Sequence, residues 1–320
     1  MTGLDIIGDV HGCADKLRGL LLQLGFHERG NAFTHPDRQA VFVGDFIDRG
    51  PQQLETLRIV RSMVDAGMAQ TTMGNHEFNA IAYATPDPKA AGEFMRPRNG
   101  PKGTKNRKQH AAFLEAIGED SKLHHEYVEW FKTMPQWLDL DEIRVIHACW
   151  HRTSIEALAG AVDRGVATSD EFWIDASTNG GVIYEAVETI LKGPEFKLGG
   201  GRVFVDKDRH ERREARIRWW NGNVRTLREI AEIPPGSTTP DGQPFSPLPD
   251  TPSSEAERYR YQESEPVFYG HYWRTGPPAL ESPNAVCVDY SAVKSGPLVA
   301  YRWDGETAPI GEKLVSFNCK

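Results

Sequence analysis

Hydrophobic positions along the chain come in short bursts, and most bursts end abruptly in a knot of glycine and polar residues. LDII runs into GDVHG (8–12), AVFV into GDFIDRG (44–50), and AQTTM into GNHE (74–77). Further on, IRVI leads to His147 and Ala148, and PVFY leads to Gly270 and His271. Apolar, β-branched runs of this length predict buried strands. The segments between them carry a helical period instead. From Asp15, read as an N-cap, Leu17, Leu20, Leu21 and Leu24 recur on one face until Gly25. Leu54, Leu57, Val60 and Val64 repeat the pattern before Gly67. Strand, helix, strand order predicts parallel strands joined by crossovers, and such sheets gather ligands outside the carboxyl ends of their strands. Five segments distant in sequence are therefore expected to deliver their polar tips to one edge.

The C-terminal part reads differently. AVCVDYSA and GPLVAYRW flank Lys294 and Ser295 as a hairpin, which predicts an antiparallel second sheet. Two segments read as irregular. Residues 234 to 252 contain seven prolines, within an exposed Pro-rich loop at 234–256. Residues 84 to 110 carry seven Lys or Arg against two acids, Asp87 and Glu93, with Pro and Gly interspersed. With no internal repeat, residues 1–320 read as a single domain bearing a basic insertion at 84–110 and that Pro-rich loop.

Composition narrows the class. With 320 residues, 39% hydrophobic and 26% charged, the chain suits a globular protein with a sizeable core. No apolar run approaches the ~18 residues of a membrane helix. The N-terminus goes directly into LDIIGD, so neither a secretory signal nor a membrane partner is expected and the cytoplasm is the expected compartment. A net charge of −8 weighs against broad binding to nucleic acid while leaving room for a local cationic pocket. Cys13, Cys149, Cys287 and Cys319 are far apart and form no C-x-x-C, which fits reduced thiols.

The strand tips carry Asp9, His11, Asp45, Asn75, His147 and His271, a cysteine-free oxygen and nitrogen donor set for Mn, Fe or Zn. Six donors exceed what one tetrahedral zinc with an open position takes. They suit two ions about 3.5–4 Å apart that share a carboxylate, as in hydrolases of phosphate esters. In VFVGDFIDRGP (41–51) a strand runs straight into Asp45, Asp48 and Arg49, and crowded charges there cost desolvation unless something binds them.

GDVHG, GDFIDRG, GNHE, His147 and Gly270–His271 resemble, in order, the signature blocks of the metal-dependent phosphoprotein phosphatases within the calcineurin-like metallophosphoesterases. The likeness extends over residues 8 to 271. It implies an α+β (α/β-type) fold, two mixed β-sheets packed as a sandwich flanked by helices. It also implies two divalent ions: Asp9 and His11 on the first, Asn75, His147 and His271 on the second, and Asp45 bridging. A metal-bridging hydroxide would attack phosphorus in line. Arg49, with Asn75, would contact the phosphate, and His76 would protonate the leaving oxygen with its tautomer fixed by Asp48. A second phosphate-gripping arginine would come from DRHERREARIRWW, by position Arg216 or Arg218. Thr104, Lys105 and Asn106 resemble the T-K-N element of the Rhizobiales-like phosphatases, a branch associated with phosphotyrosine, and would join the substrate contacts.

The expected function is therefore hydrolysis of phosphorylated protein or peptide, phosphotyrosine before phosphoserine or phosphothreonine. A nucleotide phosphohydrolase of the symmetrical dinucleoside tetraphosphatase type shares the same blocks and is the alternative. An inactive phosphoprotein-binding module is disfavoured by the retention of His76 and Asp48, since a binder needs no proton donor. A cysteine phosphatase is disfavoured too, because no Cys has an Arg six positions on.

Overall fold

The apolar bursts become strands, distributed over two sheets as the resemblance implied. The computed structural model describes residues 3–206 and 209–319. One sheet has five strands in the order Leu314–Phe317, Leu298–Trp303, Gly3–Ile7, Arg38–Phe42 and Ala69–Thr71. The last three run parallel, and the two C-terminal strands are added antiparallel. The other sheet orders Ala285–Cys287, Val267–Tyr269, Arg144–Ile146 and Trp137–Asp139, of which the first three are parallel and the fourth antiparallel. Ile6, Val41 and Tyr301 of the first sheet share one buried cluster with Val145, Phe268 and Val286 of the second. The two mixed sheets thus form the expected sandwich. A strand buried on both faces shows a continuous apolar run, and nothing in such a run says which sheet it joins.

Among the described residues, helices α1 (Ala14–Leu24), α2 (Gln53–Asp65), α3 (Asn75–Ala84), α4 (Gly100–Ile117), α5 (Lys122–Lys132), α6 (Arg152–Leu158), α7 (Glu171–Ser177) and α8 (Val182–Lys192) accompany the sandwich. The first two pack on the five-stranded sheet. Leu17, Leu20, Leu21 and Leu24 of α1 are buried, and Gly25 ends the helix in the left-handed conformation, φ 93°. The N-cap is Cys13 rather than Asp15, which sits in the first turn where its charge suits the helix dipole.

Two expectations need correction. Residues 100–110 are not irregular but form the first half of the 18-residue α4, with Pro101 in its first turn. His110, Phe113, Leu114 and Ile117 give its buried side, whereas the lysines before them face solvent and hide the period. Nor do AVCVDYSA and GPLVAYRW form a hairpin. Ala285–Cys287 pairs in one sheet and Leu298–Trp303 in the other. A short 3-10 turn, Ala292–Lys294, flanked by left-handed Ser291 and Ser295, carries the chain across.

By packing, the chain forms two compact units, Met1–Lys192 with Glu265–Lys320, and Gly193–Ser264. The sandwich and the basic segment belong to the first. The second contains a three-stranded sheet, Glu195–Lys197, Glu214–Ile217 and Ala231–Glu232, and the Pro-rich stretch 234–252, which holds only isolated bridges.

Candidate functional site

At the ends of the parallel strands the backbone turns sharply. His11, Asp45, Asp48, Arg49 and His271 adopt positive φ values of 44, 55, 67, 68 and 70°. Each such residue costs on the order of 1–3 kcal/mol and persists only where surroundings hold it. Glu77, fully buried in α3, supplies much of the hold. Its carboxylate accepts the N–H of Asp45 at 2.8 Å, Phe46 at 2.8 Å and Gly74 at 3.1 Å. Gln53 accepts the Asp48 N–H at 2.8 Å and donates to Gly50 O at 2.6 Å. The glycines of GDF and GNH have a plain cause: a β-carbon on Gly44 would collide with Gly74 N, and one on Gly74 with Asp45.

Asp45 is the hub. Its Oδ2 lies 3.4 Å from His11 Nε2 and 3.5 Å from His147 Nε2, while Oδ1 accepts the His76 N–H at 2.9 Å. Asn75 Oδ1 stands 3.1 Å from His147 Nε2 and 2.8 Å from His271 Nδ1. Asp9 Oδ2 accepts the His271 N–H at 3.2 Å. All six expected donors are therefore buried together. Two donor groups overlap at one carboxylate: His11, Asp45 and His76, and Asp45, His147 and His271.

The donors fit a dinuclear centre. His11 Nδ1 donates to Ile47 O at 2.7 Å and His147 Nδ1 to Val43 O at 2.8 Å, which turns each Nε2 inward for a ligand. Among the described residues His11 Nε2 has no hydrogen-bond partner. Burial drives His11 down to about 3, so it is neutral as a ligand must be. Burial alone would lower His147 as well, but the Asp45 and Asp9 carboxylates outweigh it and raise that histidine to about 10. Burial, then Asp289, pushes Asp9 well up. Carboxylates packed this closely are what bound cations neutralise.

Beside the donors, His76 Nδ1 donates to Asp48 Oδ2 at 2.5 Å. Asp48 is not in a surface ion pair with Arg49 but buried, and its other oxygen accepts His110 Nδ1 at 2.7 Å. Burial would raise Asp48, yet His110 and His76 together hold it well below the usual carboxylate range. Burial would lower His76, but Asp45 and Asp48 raise it. Arg49 is exposed, with Nη2 at 3.3 Å from His76 Nε2 and its guanidinium 5.2 Å from the Trp273 ring centroid.

Sequence reasoning missed His110, Glu77, Gln53 and Asp289. His110 stands in no motif, and its only signal is the 110, 113, 114, 117 spacing of the buried side of α4. Thr104, Lys105 and Asn106 lie on that same helix rather than on a loop. The Thr104 hydroxyl donates to Gly100 O and Asn106 Nδ2 to Pro97 O, so two of the three serve the start of the helix. Arg218 belongs to the second unit, where Glu232 engages its guanidinium, and Arg216 lies near Glu195.

The family model for calcineurin-like phosphoesterases matches residues 4–223. The asymmetrical bis(5'-nucleosyl)-tetraphosphatase PrpE of Oceanobacillus iheyensis is 30% identical over 168 residues, 52% of this chain and 62% of that one. Its counterpart in Halalkalibacterium halodurans is 32% identical over 173 residues, 52% of this chain and 65% of that one. The symmetrical bis(5'-nucleosyl)-tetraphosphatase of Methylococcus capsulatus is 30% identical over 168 residues, covering 51% and 50%. The match spans less than two thirds of each relative's length. A protein serine/threonine phosphatase of Saccharomyces cerevisiae superposes with a TM-score of 0.52 at 12% identity over 100% of this chain and 80% of that one, a likeness of fold alone. The relatives by sequence overturn the expected phosphoprotein phosphatase with its phosphotyrosine preference and favour the tetraphosphatase alternative. The physical reason is that the roles expected of the shared blocks end at the metals and one phosphoryl group, so the blocks do not specify what lies beyond it.

Proposed function

We propose, for a chain that belongs to the calcineurin-like phosphoesterase family, that it is a metal-dependent hydrolase of the phosphoanhydride chain of dinucleoside polyphosphates. The observation that carries hydrolysis is Asp45 shared by two donor groups, His11–Asp45–His76 and Asp45–His147–His271, with Asp48 holding His76 Nδ1. Similarity to tetraphosphatases of both cleavage types favours the nucleotide. Proteins of this family use two divalent metal ions. Here Asp9 and His11 would hold one, Asn75, His147 and His271 the other, with Asp45 between them. When bound, the ions supply Lewis-acid charge at the phosphoryl group and bring the pKa of water towards neutrality.

The remaining steps fall to side chains. Arg49 is exposed and in no ion pair among the described residues, so its guanidinium is available to take two phosphate oxygens. Contact with the Trp273 ring limits its swing. His76 has Nδ1 committed to Asp48, which leaves the Nε2 proton for the departing phosphate oxygen. Arg49 Nη2 lies 3.3 Å from Nε2, a contact in which Arg49 can only donate, so Nε2 offers a proton to the leaving oxygen once Arg49 has turned to the phosphate. Metal-defined protein given diadenosine tetraphosphate tests the reading, with products separated by anion-exchange chromatography. Cleavage to ATP and AMP, or to two ADP, is expected. An intact dinucleotide beside rapid turnover of an aryl phosphate would refute it.

A further inference from the structure

The cations of the 84–110 segment are not employed alike. Arg98 pairs with Asp120 and Arg107 with Glu119. Arg96, Lys102 and Lys105 meet no carboxylate among the described residues, and these three line one hollow of ≈ 400 Å³ together with Lys192 of α8. Glu188, paired with Lys192, is its only acidic lining residue among those described. Four cations against one carboxylate reverse locally the sign of a chain whose net charge is −8. The volume falls within the range of small-ligand sites.

Two helices connect this hollow to the reaction centre. α3 begins with Asn75 and His76 and places Asn79, one turn of about 5.4 Å later, in the lining. α4 sends His110 to Asp48 and the adjacent Gln109 to the hollow. Arg96 ties the two helices together: Nη1 donates to Asn79 Oδ1 at 2.9 Å and Nη2 to Gln109 Oε1 at 2.8 Å. Neutral amides hold the guanidinium in place without cancelling its charge, an arrangement that leaves the positive field for a ligand.

We propose that this hollow is an oligophosphate subsite, which takes the phosphates of the substrate beyond the one held by Arg49. The assignment rests on the polyphosphate reading above. Arg96 is its fixed anchor, and Lys102 and Lys105 are point charges on flexible stems at its rim. Free inorganic polyphosphate presents the same chemistry, so the test separates the two sources.

The double variant Lys102→Ala/Lys105→Ala alters two exposed side chains of α4, and Lys192→Ala repeats the test from α8. At fixed free divalent ion, kcat/KM is measured for diadenosine tetraphosphate and for an aryl phosphate. The double variant's loss with the tetraphosphate should exceed its loss with the aryl phosphate by about ten-fold, 1.4 kcal/mol, the scale of two exposed ion pairs. Equal losses overturn the proposal. Inorganic tripolyphosphate should inhibit aryl phosphate hydrolysis competitively, with a Ki about ten-fold weaker in the variant. An unchanged Ki overturns the anion site, and non-competitive inhibition overturns its assignment to the substrate. If the unaltered enzyme leaves the tetraphosphate intact, the nucleotide reading fails, and the tripolyphosphate Ki alone decides whether the hollow binds oligophosphate.

Discussion

His110→Phe should slow the reaction without weakening substrate binding. His110 reaches no metal donor; it touches the chemistry only through Asp48, whose Oδ1 accepts its Nδ1 proton at 2.7 Å. Phenylalanine keeps the ring volume against Tyr83 and Phe113, whose centroids lie 5.6 and 4.8 Å away, so no cavity opens. What is lost is one buried hydrogen bond to a carboxylate, about 1.5–3 kcal/mol. Expressed fully in the transition state, that is about one to two decades in kcat at 1.36 kcal/mol per decade. His110→Asn retains a donor near the Nδ1 position and should recover part of the rate. The assay is kcat and KM on metal-loaded protein with substrates whose leaving groups differ in basicity. If Asp48 and His76 deliver the proton, a poor leaving group should suffer more than an activated one. Wild-type kcat in His110→Phe, or one uniform loss across leaving groups, would show that Asp48 does not depend on His110.

Three further outcomes follow from the same geometry. Asp48→Asn should move the alkaline limb of the kcat–pH profile to lower pH: His76 acts as the protonated form, its activity falls as pH rises through its pKa, and Asp48 helps raise that pKa; an unmoved limb would count against the assignment. Asp45→Asn should lower bound metal and abolish turnover, as measured by metal analysis alongside aryl phosphate hydrolysis, because both donor groups share that carboxylate. Glu77→Ala should destabilise the metal-loaded protein by about 3–6 kcal/mol in urea denaturation, since it strands the buried N–H groups of Asp45, Phe46 and Gly74; a loss below about 1 kcal/mol would refute Glu77 as the fastener of that turn.

The residues proposed to hold metal and phosphate were legible because strained turns leave marks in sequence. Asp45 at φ 55° needs Gly44 and Gly74 back to back beside it, and glycines around a lone acid at a strand end can be read directly. What fastens those turns leaves no comparable mark. Glu77, although it closes the GNHE block and binds Gly74, works mainly on residues 30 to 32 positions away, and His110 acts on one 62 positions away through an ordinary helical position. The same asymmetry explains the misassigned C-terminal strands. The fully buried run from Ala285 to Tyr290 satisfies either sheet, and Ser291 and Ser295, which divide it from Leu298–Trp303, adopt the left-handed conformation without being glycine, so the Gly296–Pro297 that follows reads as a hairpin turn. Substrate choice was hidden more deeply still. The roles proposed for Asp45, His76 and Arg49 concern a phosphoryl group whatever it is attached to, whereas Lys102 and Lys105 of the hollow lie on the lysine-rich turns of α4, where solvent exposure removes the period that would have shown a helix. The proposed discrimination between substrates therefore rests on residues like Arg96, fixed by neutral amides, rather than on the shared blocks.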